Sequence, residues 1–341
     1  MLNSHKAPLI SFVVPHYNLP EELLQRCIES ILAQKLPKEC YEIIVVDDGS
    51  DTAPALTREQ ADEDNIKLIF TDHSGPGGAR NAGIDAAQGK YIQFIDADDT
   101  LCPESLGECV EILRNERPSI LRFAYNVCYE GEVSGNQAAE KKPVKCSNTI
   151  SGAAFMAEYN LHGSPWSYIF ERKVANDNNI RFAIGVYHED EEFNTKLHYH
   201  APTLVHCNIA VYNYCIRKGS ITANSNSAFE EKRLEDLFSL LERLCEFRKS
   251  ETAGANPLQR RGIERKMAML TVDTLLNLFY ANKSAKEIIK LCNKHLHALS
   301  LYPLPKKNYS LKYRIFRKFA NNKAGLFILR MIIPRHKPKK R

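Results

Sequence analysis

Three aspartates, Asp96, Asp98 and Asp99, stand within four residues and form the strongest candidate for chemistry in the sequence. Carboxylates this close repel one another unless a cation or hydrogen-bond donors compensate their charge. Mg²⁺ or Mn²⁺ is the simplest compensation, because these hard cations prefer oxygen ligands and take only one or two from protein carboxylates. A structural alternative stays open, in which Asp99 or Thr100 caps a helix that begins near Pro103.

A second acidic turn lies at residues 47–51, which read Asp-Asp-Gly-Ser-Asp. An acid in this turn could accept a hydrogen bond from a nucleobase imide or a ribose hydroxyl. The alternative is that Asp48 or Ser50 only caps the turn that follows. Together with the first cluster, this turn favours a nucleotide ligand.

A glycine-rich stretch at residues 75–81 leads into a predicted helix and is similar to a phosphate-binding turn. The GxGxxG pattern of dinucleotide sites fails, because Arg80 stands in place of the third glycine. The stretch also follows the third predicted strand and not the first. Arg80 could bind a base or neutralise a phosphate, or it could be an exposed residue of a capped helix.

A third acidic segment, residues 188–193 with the sequence HEDEEF, opens another predicted helix. Acidic residues in a first helical turn are commonly explained by the helix dipole alone. A carboxylate presented opposite a metal-bound diphosphate would instead serve as a general base. The HExxH zinc signature is absent, because the fourth residue after His188 is Glu192, and the later histidines show no metal-ligand spacing.

Four apolar, β-rich runs predict the strands that would position these motifs, over residues 9–14, 43–46, 66–70 and 91–95. Amphipathic spacing predicts a helix over 20–35, and a run of small residues predicts a closely packed helix over 79–88. The resulting β-α-β-α-β-α-β order gives a parallel sheet that binds ligands at its carboxyl edge. Because acidic or polar loops follow the first, second and fourth strands, they are expected to meet in one cleft.

The remainder of the chain shows no internal repeat. Its patterns predict a helix over 103–115, a strand over 120–129, a loop over 130–148, a helix over 151–159, an extended segment over 166–171, a helix over 190–198 and a strand over 204–216. From residue 228 onward the pattern is almost entirely helical, with a break at 254–257.

The composition is that of an ordinary globular protein with roughly two structural units: 341 residues, 44% hydrophobic and 26% charged. No run approaches the roughly 18 apolar residues of a membrane span, and the first apolar run is too short for a signal peptide. The ten cysteines never lie closer than seven positions apart, so no CxxC pair exists. Cysteines scattered in this way indicate a reducing compartment, which we take to be the cytoplasm.

The basic residues are concentrated in one segment. Residues 306–341 contain 13 Lys and Arg and no Asp or Glu, whereas the other 305 residues hold 33 basic and 41 acidic groups. Apolar and basic side chains fall on different faces of a helix there, which is typical of a helix in an anionic membrane interface. The apolar face comprises Leu311, Ile315, Phe316 and Phe319. A solvated tail or a helix docked on the protein are alternatives, and nucleic acid, the rival partner for the charge, is not expected.

These motifs resemble those of the family 2 glycosyltransferases, which have a GT-A fold. The resemblance covers about two thirds of the chain and is carried by VVPHYN (13–18), IIVVDDGSDT (43–52), GGARNAGIDAAQGKYIQFIDADD (77–99), SPWSYIFERK (164–173), HEDEEF (188–193) and YNYCIRKGSIT (212–222). It implies an α/β, Rossmann-like fold with a mainly parallel sheet flanked by helices, and a helical C-terminal extension. The implied organisation is a catalytic domain at 1–222 with a nucleotide-sugar half (1–118) and an acceptor half (119–222), a helical region at 223–305 and a basic amphipathic tail at 306–341.

For donor binding, the resemblance implies roles at five positions besides Asp96. Pro15 and Tyr17 would line the nucleotide pocket, and Asp48 would contact the base. Arg80 would reach the base or the phosphates. Arg217 lies in a segment similar to one that closes over the donor diphosphate.

For catalysis, the resemblance implies a metal site and a base. Asp96 and Asp98 match the DxD pair that holds Mn²⁺ or Mg²⁺, with Asp98 as the direct ligand, Asp96 nearer the ribose, and Asp99 assisting. Asp190 matches the acid of the ED motif, the family's catalytic base, and Glu189 is the fallback.

The implied activity is inverting transfer of a hexosyl or N-acetylhexosaminyl group from a nucleotide sugar, with UDP sugars favoured, to a glycan or lipid-linked glycan of a surface polysaccharide. Trp166 would stack on the acceptor sugar or else belong to the core. The QxxRW motif of processive synthases is missing and no membrane span is predicted, so a non-processive enzyme is expected. The scattered cysteines and the basic tail predict that it works at the cytoplasmic face of a membrane. A noncatalytic sugar-nucleotide binder and a nicotinamide-dependent oxidoreductase are the alternatives.

Overall fold

The computed structural model of the protein describes residues 7–129, 143–217 and 227–335. Most of the predicted loop at 130–148, the end of the motif at 212–222 and the last six residues of the tail therefore lie outside the described residues. The described residues form two compact units. The first comprises those up to 152, 162–185 and 189–217; the second comprises 153–161, 186–188 and those from 227 onward. The predicted boundaries at 222/223 and 305/306 remain predictions.

The first unit is built around one eight-stranded sheet. Its strands are β1 (Ile10–His16), β2 (Tyr41–Asp47), β3 (Ile66–Phe70), β4 (Tyr91–Phe94), β5 (Thr100–Leu101), β6 (Ile120–Tyr129), β7 (Tyr168–Glu171) and β8 (Leu204–Ile216). The spatial order is β3-β2-β1-β4-β7-β6-β8-β5. Neighbours are parallel except at β7, which is antiparallel to β4 and β6, and at β5, which is antiparallel to β8. The predicted mainly parallel α/β sheet is confirmed.

Helices connect and flank these strands. They are α1 (Glu21–Leu32), α2 (Arg58–Ala61), α3 (Pro76–Ala86), α4 (Leu106–Asn115), α6 (Arg172–Asp177) and α7 (Glu189–His200), whereas α5 (Gly152–Glu158) belongs to the second unit except for its first residue. The prediction that the small residues before β4 allow close packing is confirmed, since a Cβ on Gly83 of α3 would lie 2.2 Å from the Val13 side chain of β1. The sequence prediction started this helix too late, because Pro76 occupies its first turn, where its missing N–H costs nothing.

Two local predictions need correction. The helix expected from Pro103 begins at Leu106, and the segment before it holds the short strand β5, so neither Asp99 nor Thr100 caps that helix. The segment expected to be extended from Trp166 begins with a 3₁₀ turn at Pro165–Ser167, and β7 follows it.

The second unit is helical, with α8 (Ser227–Glu251), α9 (Pro257–Tyr280), α10 (Ala285–Leu291), α11 (Leu311–Ala320) and α12 (Lys323–Ile332). The predicted break near 254–257 is confirmed, and Asn256 caps α9 by accepting hydrogen bonds from two backbone N–H groups. None of the described helices is both long enough and apolar enough to cross a bilayer.

Candidate active site

The predicted cleft lies where parallel strands end at the same edge of the sheet. His16 at the end of β1 is in register with Asp47 at the end of β2, and their side chains meet at 3.0 Å between Nδ1 and Oδ1. The hydroxyl of Ser50 also donates to Asp47. Although burial raises the pKa of Asp47, the hydrogen bonds from Ser50 and His16 outweigh that effect and lower it. These contacts tie the ends of β1 and β2 together.

Asp48 holds the turn that leads into α3. Its side chain is buried, and its carboxylate accepts hydrogen bonds from the backbone N–H of Ser74 at 2.9 Å and of Gly75 at 2.8 Å. Gly75 has φ +84°, a conformation that glycine adopts without strain. These donors engage both carboxylate oxygens, so the observed role of Asp48 is to hold the turn. Its contact with a nucleobase stays a prediction.

The residues predicted to line the nucleotide pocket lie on the same edge. Pro15 is the penultimate residue of β1 and is half-buried. Tyr17, in the loop after β1, stacks on His73 with ring centroids 4.1 Å apart and is 42% exposed. An aromatic ring with this much exposure can still offer area to a base.

Arg80 on α3 connects two of the acidic motifs. Its guanidinium is buried and lies 2.9 Å from Asp96 and 3.2 Å from Glu189. Burial by itself lowers the pKa of Arg80, but the charges of Asp96 and Glu189 more than compensate and raise it. The loop after β4 and the first turn of α7 are thereby joined at one cation.

Asp96 and Asp98 are the carboxylates of the acidic loop that remain accessible. Their side chains are 28% and 23% exposed. One oxygen of Asp96 binds Arg80, and one oxygen of Asp98 lies 2.8 Å from Nε of Arg217. Within the described ranges no protein donor engages the other oxygen of either residue.

Asp99 is arranged differently. It is buried, one oxygen accepts the hydroxyl of Tyr212 at 2.7 Å, and the other accepts the backbone N–H of Cys215, also at 2.7 Å. Burial, followed by the charge of Asp96, raises the pKa of Asp99 to about 8. Because both of its oxygens are engaged by β8, any part Asp99 plays in metal binding would be indirect.

The donor set fits a divalent cation of the Mg²⁺ or Mn²⁺ type. Among the described residues, no three His, Cys, Asp or Glu side chains are grouped so that they could enclose a metal. Asp96 and Asp98 offer two carboxylates of one loop, each with an open oxygen, and these cations commonly complete such a set with water and substrate phosphates.

Asp190 lies in the first turn of α7 and has little room around it. Its Oδ1 accepts the N–H of Glu191 at 2.8 Å, and a Cβ added to Gly163 would lie 2.6 Å from its Oδ2. Burial first, then the charges of Glu191 and Glu189, raise the pKa of Asp190 to about 8. A carboxylate with such a pKa is suited to accept a proton near neutral pH. Burial also raises the pKa of Glu189, whose carboxylate is held by Arg80.

Trp166 packs into an aromatic cluster. Its ring lies parallel to Tyr212 and Tyr214, with centroid distances of 4.5 and 5.4 Å, and meets Tyr125 edge-on at 4.9 Å. Only 8% of the residue is exposed. The structure therefore gives this tryptophan a core position, and its contact with an acceptor stays a prediction.

Sequence reasoning missed Tyr212. Besides donating to Asp99, its hydroxyl accepts the backbone N–H of Asp96 at 3.0 Å, so one buried group holds both ends of the acidic loop. The antiparallel pairing of β5 with β8 places it there, with Leu101 opposite Tyr212. The sequence gives only the alternation of Tyr212 and Tyr214 on a strand, which does not reveal the partner of either hydroxyl.

Comparison with known proteins identifies related chains. The family model described as "Glycosyl transferase family 2" matches residues 11–185. The putative glycosyltransferase EpsH of Bacillus subtilis is 27% identical over 70% of this chain and 68% of its own length. The succinoglycan biosynthesis protein ExoO of Rhizobium meliloti is 45% identical over a shorter match, 31% of this chain and 30% of its own length.

Two solved structures share the fold. TarS 1–349 of S. aureus in complex with UDP-GlcNAc superposes with a TM-score of 0.64 at 18% identity, over 94% of this chain and 90% of that one. The mannosyltransferase PcManGT of Pyrobaculum calidifontis, in complex with GDP-Man and Mn²⁺, gives a TM-score of 0.55 at 16% identity, over 96% and 88%.

Proposed function

Because the chain belongs to the family 2 glycosyltransferases, GT-A enzymes that depend on nucleotide sugars, we propose that it transfers a hexosyl or N-acetylhexosaminyl group to a glycan hydroxyl with inversion. The observation that carries this proposal is the Arg80 bridge between Asp96 and Glu189. The bridge brings the acidic loop after β4 and helix α7, which carries Glu189 and Asp190, to one site. A donor held at the loop would therefore face a carboxylate of that helix.

On the donor side, Pro15, Tyr17 and Asp48 would form the nucleoside pocket at the ends of β1 and β2. We favour a UDP sugar, supported by the UDP-GlcNAc in the TarS complex, although the GDP-Man in the PcManGT complex marks the competing base. Arg217 now pairs with Asp98. On donor binding it would exchange this partner for the diphosphate, whose two charged groups offer a stronger site for a guanidinium.

Asp96 and Asp98 would hold Mn²⁺ or Mg²⁺, and the bound ion would stabilise charge on the departing nucleoside diphosphate. The Mn²⁺ named in the PcManGT complex supports this assignment. The protein's own contribution is to hold the two carboxylates in place: the buried Arg80 orients Asp96, and Asp99 fastens the loop to β8.

Asp190 would act as the base. It would take the proton of the acceptor hydroxyl on its carboxylate while that oxygen attacks the anomeric carbon, and a single displacement inverts the centre. We prefer Asp190 to Glu189 because Arg80 engages the Glu189 carboxylate, and an ion-paired carboxylate is a weaker base. Trp166, next to the acidic loop through Tyr212, would border the acceptor.

We further propose that the acceptor is a glycan or lipid-linked glycan of a surface polysaccharide, supported by the succinoglycan role in the name of ExoO. The protein would work on the cytoplasmic side of a membrane as a peripheral enzyme. The scatter of ten cysteines without CxxC pairs supports a reducing compartment, and the basic segment from residue 306 supports contact with an anionic surface.

The decisive experiment offers the full chain a panel of UDP, GDP and other nucleotide sugars with Mn²⁺ or Mg²⁺, and measures nucleoside diphosphate release with and without glycan acceptors. We expect one class of donor to be consumed, only with a metal, and faster with an acceptor. Thermal stabilisation by a donor without any turnover would support the noncatalytic alternative. Turnover that persists in EDTA would contradict the metal assignment.

A further inference from the structure

Helices α11 and α12 form a hairpin with an apolar outer surface. Seven of its large apolar side chains are more than a third exposed, and Met331 and Ile332 reach 79% and 72%. The seven are Leu311, Ile315, Phe319, Phe327, Ile328, Met331 and Ile332. Isolated exposed apolar residues are ordinary, but seven on two adjoining short helices mark an interaction surface.

The exposed surface is not the result of a loosely attached hairpin. The opposite side is buried and hydrogen-bonded within the second unit: Tyr302 donates its hydroxyl to the carbonyl of Ala320 at 2.6 Å, and Arg330 donates to the carbonyl of Phe279 at 3.0 Å. Buried residues of the hairpin include Tyr313, Ala320, Leu326 and Leu329. The outer side chains are therefore held outward by a docked element.

Basic side chains accompany this apolar surface. The segment 306–341 contains 13 Lys and Arg and no acidic residue. The hairpin itself carries exposed basic residues beside the apolar ones, at Lys312, Arg314, Lys318 and Lys323. Any partner must therefore accept apolar side chains and supply negative charge at the same place.

The need for both apolar contact and negative charge decides among three candidate partners. A two-fold contact with a second copy of the chain would bring the same basic groups together, and their repulsion opposes it. A nucleic acid would satisfy the charge but leave the apolar side chains in water. An anionic bilayer satisfies both, because acyl chains accept the apolar groups and anionic headgroups attract the lysines and arginines.

We propose that the α11–α12 hairpin is a membrane-docking surface that inserts its exposed apolar side chains into the interface of an anionic bilayer. This inference rests on the membrane association proposed above and names the surface that makes it. It is tested without donor or acceptor, so failure of vesicle binding is distinguishable from failure of the transfer reaction.

The test is vesicle flotation of the full chain with phosphatidylcholine vesicles, with and without phosphatidylglycerol. We expect binding that requires phosphatidylglycerol. Removing an inserted apolar side chain should weaken the partition constant about tenfold, so Met331→Asn and Ile332→Asn should each show that loss. The matched control is Ile184→Asn, which changes an isoleucine that is 60% exposed elsewhere on the chain. An equal loss in the control, or unchanged binding in both hairpin variants, would overturn the proposal.

The charge requirement is tested separately. Lys318→Glu and Lys323→Glu alter exposed residues and should each reduce binding to anionic vesicles by about fivefold or more, with wild-type binding falling as salt rises. Equal wild-type binding to both kinds of vesicle would contradict the electrostatic part. Sedimentation velocity without lipid tests whether a second copy of the chain covers this surface. A wild-type dimer that Met331→Asn dissociates would make the second copy the occupant and refute the proposal.

Discussion

The hydroxyl of Tyr212 donates a 2.7 Å hydrogen bond to the buried carboxylate of Asp99 and so ties β8 to the acidic loop after β4. The same hydroxyl accepts the backbone N–H of Asp96 at 3.0 Å. One buried oxygen thus fixes a loop whose partly exposed carboxylates, Asp96 and Asp98, are the candidate metal ligands. The position of these candidate ligands therefore depends on a residue that need not touch a metal or a donor itself.

Tyr212→Phe is therefore expected to loosen the loop. It removes one hydrogen bond from Asp99 and leaves the Asp96 N–H without its acceptor, which should cost about 1–3 kcal/mol in the free energy of unfolding. The Mn²⁺ concentration needed for half-maximal donor binding should rise, while the rate at saturation falls less. Trp166 is the only tryptophan and stacks on Tyr212, so its fluorescence can report Mn²⁺ binding directly.

The matched control is Tyr214→Phe on the same strand. Tyr214 also stacks on Trp166. Of the two tyrosine hydroxyls, only that of Tyr212 has a hydrogen bond to the acidic loop in the described part of the chain. The control should keep the wild-type Mn²⁺ titration. Equal titrations for the two variants would show that the Tyr212 hydroxyl does not position the loop.

The sheet could be predicted from the sequence because its strands are local features. The continuous apolar runs of β1 to β4 are typical of strands covered on both faces, and the sequence pattern predicts β8 with its observed ends, Leu204 and Ile216. The loops after β1, β2 and β4 leave the same edge of the sheet, as expected, because these three neighbouring strands are parallel.

The support of the acidic loop could not be predicted in this way. Strand β5 has only two residues, too few to show a period, and its partner β8 is more than 100 positions away in the sequence. Without that pairing, the sequence predicts for Asp99 only a part in metal binding or a helix cap. Burial of Trp166 was one of two open interpretations, and its aromatic neighbours also come from distant strands.

Asp190→Asn tests the catalytic base. The substitution keeps the shape of the side chain but removes its basicity, so kcat should fall by about 10²- to 10⁴-fold. Donor binding, measured as Mn²⁺-dependent thermal stabilisation, should survive because Asp190 is not assigned to the donor. The companion variant Glu189→Gln disturbs the Arg80 bridge and should weaken donor binding instead. Near-normal turnover by Asp190→Asn would remove this residue from the role.

The pH dependence follows from the raised pKa of Asp190, about 8. The base must be ionised to accept a proton, so kcat/KM should rise with pH and level off above about 8. Glu189→Gln removes one of the charges that raise this pKa, so the inflection should move to lower pH. A flat profile between about pH 6 and pH 9 would contradict the assignment.

The raised pKa of Asp190 also makes folding stability depend on pH, but stability falls as pH rises whereas kcat/KM increases. A carboxyl whose pKa is higher in the folded state than its ordinary value of 3.8 favours folding when protonated, and this contribution is lost as pH rises through about 8. Asp190→Asn cannot ionise, so its melting temperature should exceed that of the wild type more at about pH 9 than at about pH 5. Thermal melts at the two pH values measure the difference. If the difference in melting temperature between Asp190→Asn and the wild type is the same at both pH values, Asp190 does not titrate in this range.

Asp98→Asn tests the metal site independently of turnover. The change removes one ligand charge and weakens the ion pair with Arg217, so Mn²⁺ should no longer enhance thermal stabilisation by the donor. Asp51→Asn is the control, because Asp51 lies in the neighbouring acidic turn and contacts Asn18 at the surface. Chelation of the wild type with EDTA should reproduce the effect of Asp98→Asn. Retention of the Mn²⁺ effect by this variant would mean that another residue holds the metal.

Gly163→Ala tests whether the position of the Asp190 carboxylate limits the rate. A Cβ at residue 163 would lie 2.6 Å from Asp190 Oδ2, too close for any contact, so the carboxylate must move away. A shift of about 1 Å in a reacting group can cost about 10²-fold in rate, and we expect a loss in kcat of that order with little change in donor affinity. Gly107→Ala is the control, because a Cβ there meets nothing within 4 Å. If both alanine variants turn over at the wild-type rate, the space beside Gly163 has no part in positioning the base.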